Sequence, residues 1–374
     1  MPPIGDFMRL FALPALFLVF AASAHGGDRF SEPRACDAPT LVAPVCLAQR
    51  SWNAADASAA LGTRDVVGIA EGDVLSVLAR RSSGPVTLCC SIDAPLSRIG
   101  DSDLWVLSVR VLGLDRAVLD LQVTPPSGDL AAYYGAQVQA SRPAAKLLGT
   151  LVRQTLHSAA LGEERHLTIY LPPGHDPAQR YPVVYLADGG VLPAYAGAIE
   201  AAIVSGRVRP VIVAGLSPGM RDPGNRAREY LVGRSASRFR DQMQFVFDEA
   251  MPFIETTYGG SDRPQDRMLA GFSDGAAWAL ATGLRNRTRI GTITALSLGW
   301  IQASDGVASD DRPRLYLAAG TLEPDFYRMT AQAARRAEGS AAPLRFDTFA
   351  SGHVLVAWQT MLVEALAWSF PRHP

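Results

Sequence analysis

Gly271-Phe272-Ser273-Asp274-Gly275 is the stretch from which the fold of this chain can be read. It fits the pattern G-x-S-x-G, and its flanks give the pattern its meaning. Arg267-Met268-Leu269-Ala270 before it reads as the end of a buried strand. Residues 276–284 after it are Ala-rich and free of proline, as a helix requires. A serine on a tight strand-to-helix turn has its hydroxyl lifted clear of the sheet. Gly271 and Gly275 leave empty the places where side chains would collide with the neighbouring strand and helix. The same turn aims the Asp274 N–H at a negative oxygen developing on the substrate. The pentapeptide therefore predicts a nucleophile, Ser273, and one oxyanion donor, Asp274.

A serine nucleophile needs a base. Where such a turn sits in a mostly parallel sheet, an acid and then a histidine follow the serine along the chain. Of six histidines, only His353 and His373 lie after Ser273. His373 is the penultimate residue, in a tail expected to fray. His353 stands in Ser351-Gly352-His353, between the apolar strand Leu344–Phe349 and a final helix over 354–370. It is the candidate base, while His157, His166 and His175 read as strand and loop residues. The acid should follow the strand 314–319, in Gly320-Thr321-Leu322-Glu323-Pro324-Asp325. Glu323 or Asp325 could hold the imidazole in the required tautomer. Glu323 is preferred, because Asp325 has the position of a helix-capping or first-turn residue. Asp347, inside the following strand, is a distant third. A second oxyanion donor is expected after the buried strand 181–187, where Asp188-Gly189-Gly190 lets the backbone approach substrate at Gly189 or Gly190.

The whole chain bounds the rest. Its 374 residues carry a net charge of −1 with 19% charged residues, so the basic face that nucleic acid or an anionic membrane would need is not expected. Arg207, Arg209, Arg221, Arg226 and Arg228 are scattered enough to be solvated, yet could line one anionic pocket. Residues 1–24 read as a signal peptide. Arg9 precedes an apolar run too short to span a bilayer, and Ala22-Ser23-Ala24 is an A-x-A cleavage site. No later segment reaches transmembrane length. A periplasmic or secreted protein is expected. Cys36, Cys46, Cys89 and Cys90 then read as structural disulfides, with no free thiol and no zinc spacing. In an extended strand adjacent cysteines face opposite sides, so Cys89 and Cys90 are expected to bond separate partners, Cys36 and Cys46.

Residues 25–61 form a weakly patterned, cysteine-bearing segment. Over 62–144, β-rich runs at 73–80, 86–90, 104–112 and 117–123 are separated by Gly, Ser, Pro and Asp. Leu107-Ser108-Val109-Arg110-Val111 and Leu119-Asp120-Leu121-Gln122-Val123 alternate with period two, which predicts a small all-β sandwich. Over 145–374 strands alternate with helices, the signature of an α/β fold with a mostly parallel sheet. The segment from Arg221 to Arg228 reads as an arginine-rich loop.

The catalytic part resembles the esterase D and enterochelin esterase-like branch of the α/β-hydrolases. Arg165-His166-Leu167-Thr168-Ile169-Tyr170-Leu171-Pro172-Pro173-Gly174, followed by Tyr181-Pro182-Val183-Val184-Tyr185-Leu186-Ala187-Asp188-Gly189-Gly190, resembles the family's opening. Arg228-Glu229-Tyr230 resembles its R-x-x-E-Y-type loop. Ala319-Gly320-Thr321-Leu322-Glu323-Pro324 and Gly352-His353-Val354-Leu355-Val356-Ala357-Trp358 resemble enterochelin esterase, as does a leading β-sandwich. The chain departs from the family at Ala276 and Val354, where glycine and aspartate are usual. The resemblance implies a triad of Ser273, His353 and Glu323, with Gly190 and Asp274 donating to the oxyanion. It implies a serine esterase working without cofactor or metal on a small-molecule or glycan ester. A catecholate siderophore is the first candidate, and Arg226, Arg228 and Glu229 would contact it. A feruloyl or acetyl carbohydrate ester, acyl transfer on the same triad, and a non-catalytic binding protein are the alternatives.

Overall fold

Val183–Ala187 and Ile212–Leu216 are apolar and buried at every position. Only strands covered on both faces have that pattern. The structure, a computed structural model, describes residues 45–124, 131–138, 146–219, 222, 224–299 and 306–372. The expected signal peptide, Cys36, Arg221 and His373 lie outside them.

The two buried strands belong to an eight-stranded sheet: β1 Thr150–Ser158, β2 Glu163–Leu171, β3 Val183–Ala187, β4 Ile212–Leu216, β5 Arg267–Phe272, β6 Thr292–Leu296, β7 Arg314–Gly320 and β8 Leu344–Phe349. Their spatial order is β1-β2-β4-β3-β5-β6-β7-β8. The first two pairings, β1 with β2 and β2 with β4, are antiparallel and the others parallel. Side-chain alternation sends residues of one strand into two separate cores. Val183, Tyr185 and Ala187 join Trp278 and the helix Asp274–Arg285 on one face. Val184 and Leu186 join the helices Leu192–Val204 and Leu355–Ser369 on the other. The result is an α/β-hydrolase sheet, with the loops after β3, β5, β7 and β8 gathered at the C-terminal ends of its parallel strands.

Among its described residues the N-terminal region is all-β apart from the helix Ala54–Leu61 and the 3-10 turn Leu114–Arg116, and packs two sheets face to face. One carries Val66–Glu71, Val74–Arg80 and Leu104–Val111, and the other carries Thr87–Cys90, Val118–Thr124 and Ala132–Tyr134. Leu119, Leu121 and Val123 are buried while Asp120 and Gln122 are only half-buried, as the alternation requires. Residues 45–61 of the segment expected to be weakly patterned contain regular structure. Val45–Leu47 pairs with Leu104–Val111, and the helix Ala54–Leu61 buries Ala57 and Leu61. Asn53 caps that helix by accepting from the Asp56 N–H at 2.8 Å.

The expected cysteine pairing is overturned. Cys89 and Cys90 bond to each other, with Cα atoms 3.7 Å apart. The extended-strand argument fails because Cys90 has φ +87°, which turns the chain so that both sulfurs meet. Cys46 is also disulfide-bonded, and no cysteine is free among the described residues.

The sandwich reaches the loops of the large sheet. Leu322, after β7, and Ala350, after β8, are buried in the sandwich core. The Val118 N–H donates to the Ala350 carbonyl at 3.1 Å. A Cβ on Gly352 would lie 2.8 Å from the Cys90 carbonyl oxygen, so the turn beside the disulfide touches the loop that carries His353. Burying one leucine side chain stabilises by roughly 1.5–3 kcal/mol, so Leu322 alone makes the docking substantial.

Candidate functional site

Ser273 occupies the turn between β5 and the helix Asp274–Arg285, with φ +56°. Holding a non-glycine residue there costs on the order of 1–3 kcal/mol, and the surroundings hold it in place. The Ser273 N–H donates to the Leu296 carbonyl at 3.0 Å, and its carbonyl accepts from the Ala276 N–H at 3.0 Å. The flanking glycines are compelled by space. A Cβ on Gly271 would sit 2.2 Å from the Gly275 carbonyl oxygen, and one on Gly275 would sit 3.0 Å from the Ala187 Cβ.

His353 Nε2 lies 3.1 Å from Ser273 Oγ, and His353 Nδ1 lies 2.6 Å from Glu323 Oε2. Three loops thus meet in one hydrogen-bonded line. Of the acids left open by the sequence, Glu323 is the one that meets the histidine. Asp325 is exposed in the first turn of the helix Pro324–Ala337 and pairs with Arg328. Asp347 accepts from the Tyr316 hydroxyl and pairs with Arg345. The Glu323 side chain is fully buried, and its second oxygen, Oε1, accepts from the Gly320 N–H at 2.6 Å and the Ser297 hydroxyl at 2.5 Å. A carboxylate with donors on both oxygens is fixed in orientation. The imidazole is clamped by Phe326, stacked at 3.8 Å between centroids, and by the edge of Trp358 at 4.6 Å.

Asp274 opens its helix, and first-turn N–H groups have no acceptor within the helix. Gly190 is exposed in the turn after β3, where a Cβ would meet nothing within 4 Å. Its neighbour Gly189 is packed instead, since a Cβ there would strike Gly215 at 2.2 Å. Gly190 is therefore the open one of the pair.

The arginine-rich segment is not the loop its composition suggested. Asn225–Tyr230 is helical, because its polar side chains find partners beneath the site. Arg226 donates to both Asp188 oxygens at 2.8 and 2.9 Å and to Asp274 Oδ2 at 2.6 Å. One guanidinium thus ties the residue that precedes Gly189-Gly190 to the residue that follows Ser273. Burial pushes the Asp188 carboxyl up, and the Arg226 hydrogen bonds and charge oppose that, leaving a bidentate ion pair. The Tyr230 hydroxyl accepts the Asp188 N–H at 2.9 Å, and Arg226 lies over the Tyr230 ring.

The expected contacts of Glu229 and Arg228 with substrate do not fit this arrangement. Glu229 is fully buried and bonded to Arg165 at 2.8 and 2.9 Å and to Arg238 at 2.9 Å, so no ligand reaches it. Arg228 points to Asp222 and Asn225 rather than to Ser273. Sequence reasoning passed over Ser297 and the Asp188–Arg226–Asp274 link. Ser297 is marked by its φ of +50° after β6, and φ is not visible in a sequence.

Among the described residues, no group of three or more His, Cys, Asp or Glu is arranged to hold a metal ion, and no helix is long and apolar enough to cross a membrane.

Residues 158–369, more than half of the chain, match the family described as "Putative esterase". A Bacillus subtilis protein, "Uncharacterized protein YjcH", is 24% identical over 238 residues, covering 58% of this chain and 96% of that protein. Among solved structures, the ferric enterobactin esterase of Salmonella typhimurium superposes with a TM-score of 0.67 at 16% identity, over 83% of this chain and 98% of its own. The enterobactin esterase of Shigella flexneri, solved in the presence of enterobactin, gives 0.66 at 16% identity, over 83% and 97%. A ferulic acid esterase gives 0.50 at 20% identity, over 61% of this chain and all of its own. At these identities the superpositions speak for the fold.

Proposed function

We propose that this chain, which belongs to the "Putative esterase" family, is an exported serine hydrolase that cleaves a carboxylic ester through an acyl-enzyme. The observation that carries the reading is the unbroken line from Ser273 Oγ through His353 to the buried Glu323. Ser273 Oγ attacks the ester carbonyl while His353 Nε2 takes its proton. The Asp274 and Gly190 N–H groups receive the oxygen as it becomes negative. Collapse of the tetrahedral adduct expels the alcohol, which leaves with the proton from His353. Water, deprotonated by the same nitrogen, attacks the acyl-serine and releases the acid. Glu323 holds the Nδ1–H tautomer and balances the imidazolium charge. No cofactor enters any step.

Export is inferred from the signal-type start of the sequence and from a disulfide between Cys89 and Cys90, a bond that persists in oxidising compartments. The substrate proposal is a bulky ester, with a catecholate siderophore first. Its support is that the likeness to enterobactin esterases extends over 83% of the chain, while that to the ferulic acid esterase stops at 61%. Arg226 and Arg228 lend it no support, since they pair with Asp188 and Asp222.

The test has two stages. A fluorophosphonate probe should label the wild-type protein at Ser273, with turnover of p-nitrophenyl acetate. No labelling of folded protein would leave a binding protein. A tri-catecholate lactone, free and iron-loaded, should then be cleaved faster than feruloyl and acetyl sugar esters. The opposite order, or transfer to an added alcohol exceeding hydrolysis, would redirect the substrate proposal while leaving the serine chemistry in place.

The arginine link supplies a further expected result. Arg226→Lys keeps the charge but loses the planar fork, so it cannot bond Asp188 and Asp274 together. Its kcat should fall about tenfold to a hundredfold through a loosened oxyanion hole. Unchanged kcat in that variant would make Arg226 a fold contact only.

A further inference from the structure

The Glu323 carboxylate is reached by a side chain that the triad itself does not include, and that side chain is reached by another. Trp358 Nε1 lies 2.7 Å from Ser297 Oγ, and Ser297 Oγ lies 2.5 Å from Glu323 Oε1. All three residues are buried, with Ser297 0%, Glu323 1% and Trp358 2% exposed. The direction of the chain follows from chemistry. An indole N–H can only donate, so the Ser297 oxygen is its acceptor. The Ser297 hydroxyl proton is thereby left for Glu323, which as a carboxylate can only accept.

Geometry adds to this. Ser297 has φ +50° and follows β6 directly, with its N–H bonded to the Ala318 carbonyl at 2.7 Å. The preceding residue, Leu296, accepts the Ser273 N–H at 3.0 Å. One turn therefore grips the nucleophile's backbone with Leu296 and the acid's carboxylate with Ser297. Trp358 closes the frame. Its ring stacks on Phe272, the residue before the nucleophile, at 4.3 Å and 11°, and meets the His353 ring edge-on at 4.6 Å. Trp358 thus touches the strand end of the serine, the ring of the histidine and, through Ser297, the acid.

We propose that Ser297 and Trp358 are positioning residues for this triad: Trp358 orients the Ser297 hydroxyl, which fixes Glu323 so that His353 presents Nε2 to Ser273. The proposal rests on the serine-hydrolase reading above. It assigns a role in turnover to two side chains that would otherwise count as buried packing. Without the indole donor, the Ser297 hydroxyl can rotate away from Glu323. Without the hydroxyl, Glu323 Oε1 keeps only the Gly320 N–H, and the carboxylate is held less firmly. Hydrogen bonds to charged groups contribute about 1.5–3 kcal/mol, which corresponds to a tenfold to hundredfold effect.

The experiment uses the full chain with Ser297→Gly, Trp358→Phe and the double variant. Glycine suits the left-handed backbone at position 297, and phenylalanine keeps an aromatic ring between Phe272 and His353. Ester turnover, the rate of fluorophosphonate labelling and melting temperature are measured for each. In Ser297→Gly, kcat should fall about tenfold to a hundredfold with KM unchanged. Trp358→Phe should produce a smaller loss of the same kind. Because Trp358 acts through Ser297, the double variant should be no slower than Ser297→Gly. The downfield proton resonance of the His353 Nδ1–H should also move in both single variants. Wild-type kcat with only a lowered melting temperature would overturn the proposal and leave plain core packing. Fully multiplicative losses would overturn the coupling between the two residues. Failure of the serine-hydrolase reading would look different, because the wild-type protein itself would not be labelled at Ser273.

Discussion

Ser273→Ala and His353→Ala should each lower kcat by at least about a thousandfold, with the fold intact. In the proposed mechanism the two side chains act as a unit on one proton, so the double variant should be little worse than either single one. Ser273→Ala opens no large cavity, and in His353→Ala the buried Glu323 loses its partner at Oε2 but keeps the Gly320 N–H and Ser297 hydroxyl at Oε1. Removal of the Ser273 hydroxyl should leave the φ +56° backbone in place, since that conformation is fixed by Leu296 and Ala276 rather than by the side chain. The comparison is made at saturating p-nitrophenyl acetate, with circular dichroism and melting temperature as the control for folding. Wild-type turnover by folded Ser273→Ala protein would remove the serine from the reaction.

Glu323→Gln is expected to have a comparably large effect, on the order of ten-thousandfold in kcat, because an amide can present its NH2 to Nδ1 and stabilise the wrong tautomer. Asp325→Asn should stay within about twofold. The two residues are separated by one proline in sequence, yet Glu323 is fully buried against His353 while Asp325 makes an exposed pair with Arg328. An exposed ion pair of that kind contributes about 0–1 kcal/mol and touches nothing in the site. Equal turnover for wild type and Glu323→Gln would leave a Ser–His pair acting without its acid. A larger loss in Asp325→Asn would transfer the role to the other carboxylate.

Both expectations rest on a site of which some parts were legible in the sequence and others were not. Ser273 was legible because the constraint on it is local. A strand, a serine between glycines and a proline-free helix lie within a short window, and a Cβ at Gly271 would clash with backbone at 2.2 Å while one at Gly275 would crowd Ala187 at 3.0 Å. The helix Asn225–Tyr230 was not legible, because polar residues that look solvated in sequence are held by Asp188, Asp274, Arg165 and Arg238 from four other segments. The pairing of Cys89 with Cys90 was not legible either. It depends on one residue adopting φ +87° where a strand was expected to continue.

By itself the sequence determined the alternation of strands and helices, the elbow at Ser273 and the choice of His353. Each of these follows from short-range periodicity or from chain order, and both survive whatever the distant parts of the chain do. Only the tertiary structure decided which acid meets the histidine, what the arginines hold and which side chains reach the buried carboxylate. His353 lies 30 residues from Glu323 and 80 from Ser273, and Trp358 lies 61 residues from Ser297. Such partners are brought together by the register of β5, β6, β7 and β8 in one sheet. Hydrogen bonds of 2.5–3.1 Å across those loops depend on strand positions that no local pattern encodes.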